Sequence, residues 1–204
     1  MEGECTVGYI EISDRLPIYG SEKDYMKTHG VNGWNYLIHN NGITYREMVW
    51  NEQRELWNAA NDGELIVTPN VQTSKNYMGT VRRWICPADG KYKVKYNFKQ
   101  IAPNGIPDKD HLTSLILRRN HKTIEKDIYD QKSGVLAGFH EKEMTLETGE
   151  ALSFEFYNAN EKTTEIIEIA ISIEKCEYDG MKIHTEAGGL YISGAKYRLF
   201  RKKR

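Results

Sequence analysis

The feature that most constrains this chain is a strict alternation of apolar and polar side chains. It is clearest over residues 91–98, where one face would carry Tyr92, Val94, Tyr96 and Phe98 and the other Lys91, Lys93, Lys95 and Asn97. Successive side chains of an extended strand point to opposite faces, so this pattern predicts a half-buried antiparallel strand. Residues 87–90 read Pro-Ala-Asp-Gly and have the composition of a turn, which makes residues 80–86 the expected hairpin partner.

The same alternation returns in the second half of the chain. It predicts one strand over residues 151–157 and another over 164–175, the latter with its isoleucines at every second position from Ile167 to Ile173. Weaker candidate strands are 112–119, 123–129, 135–146, 180–185 and 190–200. Strands at intervals of roughly 8–12 residues, separated by Gly, Asn, Asp and Pro, indicate an all-β antiparallel sandwich or barrel.

The first 70 residues are less regular. Residues 7–12 form a candidate strand, and the polar, Glu- and Asn-rich stretch 45–60 is expected to hold a short helix. We divide the chain into an N-terminal arm at 1–30, a β-sandwich at 31–176, and a C-terminal hairpin with a basic tail at 177–204.

Charge, hydropathy and cysteine content limit the classes of function. A formal net charge of -1 argues against a dedicated nucleic-acid-binding protein, which is usually clearly basic. No apolar run approaches the roughly 20 residues of a membrane-spanning helix, and the start at residues 1–4 does not have the pattern of a signal peptide. The cysteines, Cys5, Cys86 and Cys176, are odd in number and far apart, which favours reduced thiols and a reducing cytosol; a Cys86–Cys176 bridge stays open.

No motif for catalysis, a cofactor or a metal stands out. The chain lacks a G-x-S-x-G elbow and a glycine-rich phosphate loop, and its six histidines have no metal-ligand spacing. We therefore predict no catalytic residue, no cofactor and no metal. The loop 104–110 has the composition of a turn, with a cation site as the alternative, and four strand glutamates are interpreted as parts of solvated faces, namely Glu141, Glu143, Glu155 and Glu168.

Aromatic side chains concentrate in the first half of the sequence. Sugar rings pack their apolar faces against flat aromatic rings, with polar side chains fixing the hydroxyl groups, and ligand sites generally combine these two kinds of group. The candidate ligand-binding residues are therefore Trp34, Tyr36, Trp50, Trp57 and Arg54. The alternative for these tryptophans is a place in the core or in a subunit interface, and Trp84, beside the predicted turn, is expected in the core.

The order of several short segments between residues 34 and 174 is similar to that of known jelly-roll families. These segments are Gly-Trp-Asn-Tyr at 33–36, Tyr-Arg-Glu-Met-Val-Trp at 45–50, Val-Arg-Arg-Trp at 81–84, Pro-Ala-Asp-Gly-Lys-Tyr at 87–92, Leu-Glu-Thr-Gly-Glu at 146–150 and Leu-Ser-Phe at 152–154. They resemble jelly-roll modules attached to bacterial polysaccharide-active proteins. The later half also resembles the complement and tumour-necrosis-factor superfamily, including the knobs and decoration domains of phage virions. The resemblance implies a jelly-roll sandwich. Glu150 stands where aspartate is usual, which puts any metal of these families in doubt here.

Three functional hypotheses follow from these observations. The first is a non-catalytic structural or adhesion module, a phage virion component of the decoration, fibre or receptor-binding type, that forms a homo-oligomer on a particle surface and contacts proteins or surface glycans. The alternative is a monomeric carbohydrate-binding accessory module of a polysaccharide-degrading system, which would be extracellular. An enzyme on the same sandwich is the weakest hypothesis, because no site can be named for it.

Overall fold

Antiparallel strands make up almost all of the regular structure. The computed structural model describes residues 16–40, 44–101, 113–129, 134, 136–159 and 164–176, together with the backbone of 182–186 and 189–193. A short 3₁₀ segment, Val31–Gly33, precedes the second strand. In chain order the strands are β1 (Ile18–Gly20), β2 (Trp34–Asn40), β3 (Thr44–Glu47), β4 (Val49–Asn51), β5 (Leu56–Ala59), β6 (Asp62–Val67), β7 (Val71–Lys75), β8 (Met78–Ile85), β9 (Gly90–Gln100), β10 (Ser114–Arg119), β11 (Lys122–Ile128), β12 (Ala137–Leu146), β13 (Ala151–Tyr157), β14 (Thr164–Lys175), β15 (Lys182–Glu186) and β16 (Gly189–Ser193).

Eight consecutive strands, β7 to β14, form a jelly-roll sandwich. Strands β8, β13, β10 and β11 are neighbours in that order in one sheet, here called sheet A. Strands β7, β14, β9 and β12 are neighbours in the other sheet, sheet B. The chain thus crosses between the sheets and pairs strands that are distant in sequence, which is the jelly-roll arrangement.

The strands of the N-terminal third enlarge both sheets. Strands β2 and β3 extend sheet A beyond β8, while β6, β5 and β4 follow β7 at the edge of sheet B, and β1 lies beside β14. The predicted helix at 45–60 is therefore wrong, because this stretch forms β3, β4 and β5. The side chain of Asn51 accepts hydrogen bonds from the backbone N–H groups of Gln53 and Arg54, which produces a turn that competes with a helix.

The core lies between the two sheets and follows the predicted alternation. Tyr96 of sheet B meets Phe154 of sheet A edge to face, with ring centroids 5.3 Å apart, and Trp84 meets Tyr92 in the same way at 5.4 Å. Strands β13 and β14 have the predicted bounds, and their inward side chains are buried. The core position expected for Trp84 is confirmed by its complete burial.

The turn at residues 87–90 connects two sheets instead of closing a hairpin. Strand β9 pairs with β12 and β14, and β8 pairs with β13 and β2, so the predicted pairing of residues 80–86 with 91–98 is wrong. Residues 87–90 do form the predicted turn, but the local sequence does not determine which strand lies next to β9. Cys86 directly follows β8 and Cys176 directly follows β14, and both are free thiols.

Several sequence predictions concern residues outside the described part of the chain. They are the strand at 7–12, Cys5, the loop 104–110 and the tail 201–204. The C-terminal hairpin is present as the antiparallel pair β15 and β16. Residues 18–20 of the predicted arm contribute β1, and the division into three parts stays a prediction. None of the helical segments in the described residues has the length and apolar character needed to cross a membrane.

Two tight hairpin turns carry side chains where glycine would be less strained. Asn76 and Tyr77 join β7 to β8, and Asn120 and His121 join β10 to β11; all four have positive φ values between 44° and 71°. Two-residue hairpin loops of this kind require left-handed backbone at both positions, which asparagine adopts at little cost and a bulky side chain adopts only with strain.

We expect Tyr77→Gly to stabilise the protein by about 1 kcal/mol, because glycine adopts the left-handed conformation without a Cβ clash. The Tyr77 side chain is 39% exposed, so little packing is lost. In a thermal scan this gain corresponds to a rise of about 2–4 °C in Tm. Asn76→Gly is the matched control and should give a smaller gain; an unchanged or lower Tm for Tyr77→Gly would contradict the strain argument.

Candidate functional site

The predicted aromatic residues form one cluster at the end of the sandwich where β2, β4 and β5 meet. The Tyr36 ring stacks on Trp57 with centroids 5.1 Å apart, and Trp50 meets Trp57 edge to face at 5.6 Å. Trp34 lies two residues before Tyr36 on β2, opposite Trp84 on β8, in the same hydrophobic core. The structure thus brings Tyr36, Trp50 and Trp57 together and places Trp34 deeper in the sandwich.

Three of these four aromatic rings are core residues. Trp34 and Tyr36 are each 1% exposed and Trp57 is 3% exposed. Their faces are covered by protein, so they do not form an open platform on which a sugar could stack. They occupy the core position that the sequence analysis gave as the alternative, and a ligand-binding role for them stays a prediction. Trp50 is partly buried and Arg54 is exposed, with its guanidinium donating to the Gly63 carbonyl at 3.1 Å. For these two residues a ligand contact stays a prediction.

An open groove lies along the opposite side of the sandwich, where an edge of sheet A faces an edge of sheet B. Its volume is about 900 Å³. We call it the edge groove, and its lining residues are Arg119, Asn120, Lys122, Thr123, Ile124, Lys142, Glu143 and Met144. Strand β11 pairs only with β10 and β12 only with β9 among the described strands, so the two edge strands leave this cleft between them.

The β10–β11 turn forms one end of the groove and is held in place by Glu150. The Glu150 carboxylate accepts hydrogen bonds from Arg119 at 2.8 and 2.5 Å and from the Asn120 amide at 2.8 Å. The side-chain amide oxygen of Asn120, Oδ1, accepts from the Ala151 N–H at 2.8 Å. The hydrogen bonds from Arg119 lower the pKa of Glu150. This arrangement fixes the positions of the Arg119 and Asn120 side chains before any ligand arrives.

An ion pair and a histidine–carboxylate hydrogen bond join β11 to β12 farther along the groove. Lys142 contacts Glu125 at 2.5 Å, and the hydrogen bond between them lowers the pKa of that carboxyl. His140 contacts Asp127 at 2.9 Å. Between the turn and these pairs, Ile124 and Met144 supply apolar surface. The groove therefore combines polar ends of fixed geometry with an apolar middle.

A buried carboxylate supports the same turn from the outer face of sheet A. Glu155 on β13 is completely buried, accepts a hydrogen bond from Arg118 Nε at 2.8 Å, and accepts another from the Tyr45 hydroxyl. Burial and this hydrogen bond raise the pKa of Tyr45 to about 12. The interpretation of Glu155 as part of a solvated face is therefore wrong, whereas Glu141, Glu143 and Glu168 are exposed.

No sequence motif pointed to the edge groove. Asn120-His121 between two strand candidates is a recognisable hairpin signal, and it would have placed Arg118 and Arg119 next to a tight turn. The meeting of β11 with β12, however, depends on the assignment of the two strands to different sheets. Within the described residues, no three His, Cys, Asp or Glu side chains converge in a way that could hold a metal ion. The groove offers hydrogen bonds and apolar contact.

Comparison with known proteins gives only distant structural matches. No family model matches the chain, and no curated protein matches it. Among solved structures, pika GITRL, a tumour-necrosis-factor-like ligand, matches with 10% identity over 70% of this chain and 96% of its own, at a TM-score of 0.34. A family 35 carbohydrate-binding module from Clostridium thermocellum matches with 10% identity over 68% and 87%, at a TM-score of 0.28. Murine APRIL matches with 9% identity over 69% and 97%, at a TM-score of 0.32.

Both kinds of module that the sequence resembles are thus among the matching structures. All three TM-scores are low, and the fold assignment depends on the strand order of this chain itself.

Proposed function

We propose that this protein is a non-catalytic binding module that takes a neutral, polyhydroxylated ligand, a segment of glycan chain, in the edge groove. The observation that carries the proposal is the groove itself, with its fixed polar ends and apolar middle. Its volume of about 900 Å³ lies within the range of about 300–1,000 Å³ that is usual for small-ligand sites.

The charges of the groove favour a neutral ligand over an ionic one. Arg119 is paired with Glu150, Lys142 with Glu125, and Glu143 with Lys91 at 2.7 Å. Pairing neutralises most of the lining charge but leaves hydrogen-bonding groups at the surface, and such groups suit hydroxyls. Ile124 and Met144 can pack against the C–H faces of a sugar ring.

Binding of glycans to the purified chain tests this proposal. A glycan array identifies a ligand, and calorimetry then compares variants. We expect Lys122→Ala and Ile124→Ala each to weaken binding about 2–10-fold, the effect of one hydrogen bond or one apolar contact. Lys126→Ala is the matched control, because Lys126 is exposed on the same strand but does not line the groove.

Two outcomes would contradict the proposal. One is the absence of any glycan ligand. The other is a loss of binding in Trp50→Ala and Arg54→Ala with full binding in the groove variants, which would move the site to the aromatic cluster predicted from sequence.

We propose as a second candidate that the protein assembles into a homo-oligomer on a particle surface, such as a virion. Two large apolar side chains support it, Phe139 on β12 at 65% exposed and Ile128 on β11 at 51% exposed. They are sequence neighbours of His140 and Asp127, which contact each other across the two strands at 2.9 Å. An oligomer can cover apolar surface that a monomer exposes.

The solution mass by light scattering tests the second candidate. The chain mass is 23.6 kDa, and we expect a stable trimer or larger ring that Phe139→Ser shifts towards monomer. Glu141→Ser, on the same strand and exposed, is the matched control and should leave the mass unchanged. A monomer at every concentration tested would count against assembly of the free chain.

A further inference from the structure

An arginine lies inside the core at the aromatic end of the sandwich. Arg82 projects from β8 of sheet A and is completely buried. Its Nη2 group donates to the backbone carbonyls of Thr68 at 2.5 Å and Val71 at 3.0 Å, and its Nε group donates to the Gln72 side chain at 3.1 Å. The side chain therefore crosses the core and ties β8 to the turn between β6 and β7.

The positive charge of Arg82 has only neutral partners. No carboxylate of the described residues forms an ion pair with this guanidinium, and all three of its acceptors are amide or carbonyl oxygens. Burial lowers its pKa to about 10, so the group stays protonated at neutral pH. A buried charge is costly unless an opposite charge compensates it.

The same end of the core contains several hydrogen-bond donors without an acceptor. Among the described residues of this core, Arg82 Nη1 and the indole N–H groups of Trp34 and Trp50 have no acceptor. The Tyr36 hydroxyl accepts a hydrogen bond from the backbone of Met26 and has no acceptor for its own proton. Tyr36 on β2 is the direct cross-strand partner of Arg82 on β8, so the two side chains lie on the same face of sheet A. Burial raises the pKa of the Tyr36 hydroxyl to about 12. A water molecule would bring two donors of its own, whereas an anion only accepts hydrogen bonds. A surplus of donors around a positive charge therefore favours an anion.

We propose that Arg82 Nη1 and the Tyr36 hydroxyl bind a small monovalent anion of the chloride class inside the core. The anion compensates the guanidinium charge and accepts the hydrogen bonds of both groups. The site is confined to small ions, because Arg82 is completely buried and Tyr36 is 1% exposed. It is separate from the edge groove, whose lining contains neither residue.

Thermal unfolding of the full chain in sodium chloride and in sodium gluconate of equal ionic strength tests the proposal. A ligand that binds only the folded state raises Tm with its concentration. We expect Tm to rise by about 3–5 °C per tenfold increase in chloride above the dissociation constant, and to change less in gluconate. Tyr36→Phe should reduce this chloride dependence. The matched control is Tyr92→Phe, whose hydroxyl donates to the Ala88 carbonyl at 2.6 Å, and it should keep the dependence.

Diffraction from crystals soaked in sodium bromide gives a second readout. We expect an anomalous peak in hydrogen-bonding contact with Arg82 Nη1 and the Tyr36 hydroxyl. Equal Tm values in chloride and gluconate, full chloride dependence in Tyr36→Phe, or no anomalous peak at this position would each overturn the proposal.

Discussion

Arg82→Ala is expected to destabilise the protein by roughly 3–5 kcal/mol, a large part of the total stability of a domain. The substitution removes every hydrogen bond that the guanidinium makes to the turn between β6 and β7. Its direct partner Gln72 is itself completely buried, so the side-chain oxygen loses its donor without gaining water. The missing side chain also leaves a cavity in the core, which adds to the loss. Urea unfolding followed by tryptophan fluorescence measures the change.

Arg82→Met separates the loss of packing from the loss of charge. Methionine fills much of the same space and removes the cost of burying a cation, and apolar replacements of buried ionic groups are often tolerated. We expect this variant to lose clearly less stability than Arg82→Ala. A loss below about 1 kcal/mol for Arg82→Ala would show that this arginine does not hold the two sheets together.

Glu155→Ala is expected to cost roughly 2–4 kcal/mol. Removing one partner from a buried ion pair leaves the other charge without compensation. Arg118 is 21% exposed in its side chain, so water relieves part of this cost, while the Tyr45 hydroxyl loses its acceptor. Because Glu155 also helps to raise the pKa of Tyr45, the tyrosine should ionise at lower pH in this variant.

The matched control is Glu141→Ala on β12. Glu141 is an exposed strand glutamate that pairs with Lys93 at 3.6 Å and Lys95 at 3.3 Å, and surface ion pairs contribute about 0–1 kcal/mol. Chemical unfolding of both variants gives the comparison. Equal losses of stability in Glu155→Ala and Glu141→Ala would mean that the buried ion pair contributes no more to the free energy of unfolding than a surface pair.

The local pattern of the sequence predicted strands well and their neighbours poorly. The bounds of β13 and β14 agree with the prediction, because each of these strands buries one apolar face and the period of two is unbroken. The pairing of β9 was wrong, because the turn at 87–90 leads to another sheet. The helix expected at 45–60 was wrong, because Trp50 and Trp57 are cross-strand partners in a hairpin.

The candidate site was difficult to predict for the same reason. A sequence shows that tryptophans are concentrated in one region, but their exposure depends on which strands cover them. Trp57 is buried because the Tyr36 ring stacks on it from β2. The edge groove depends on β11 and β12, which belong to different sheets and face each other only in the finished fold.

The position of β14 has a consequence for how the chain folds during synthesis. This strand lies between β7 and β9, with Thr164 opposite Lys75 and Ile171 opposite Tyr96. Strands β7 and β9 therefore lack the strand that joins them in sheet B until residues 164–175 have left the ribosome. Until then the inner faces of β9 and β13 have no complete cover, and pairings between segments so distant in sequence form slowly. A nascent chain that stops before β14 exposes the apolar side chains of a half-built sandwich, which makes it a substrate for chaperones or for aggregation.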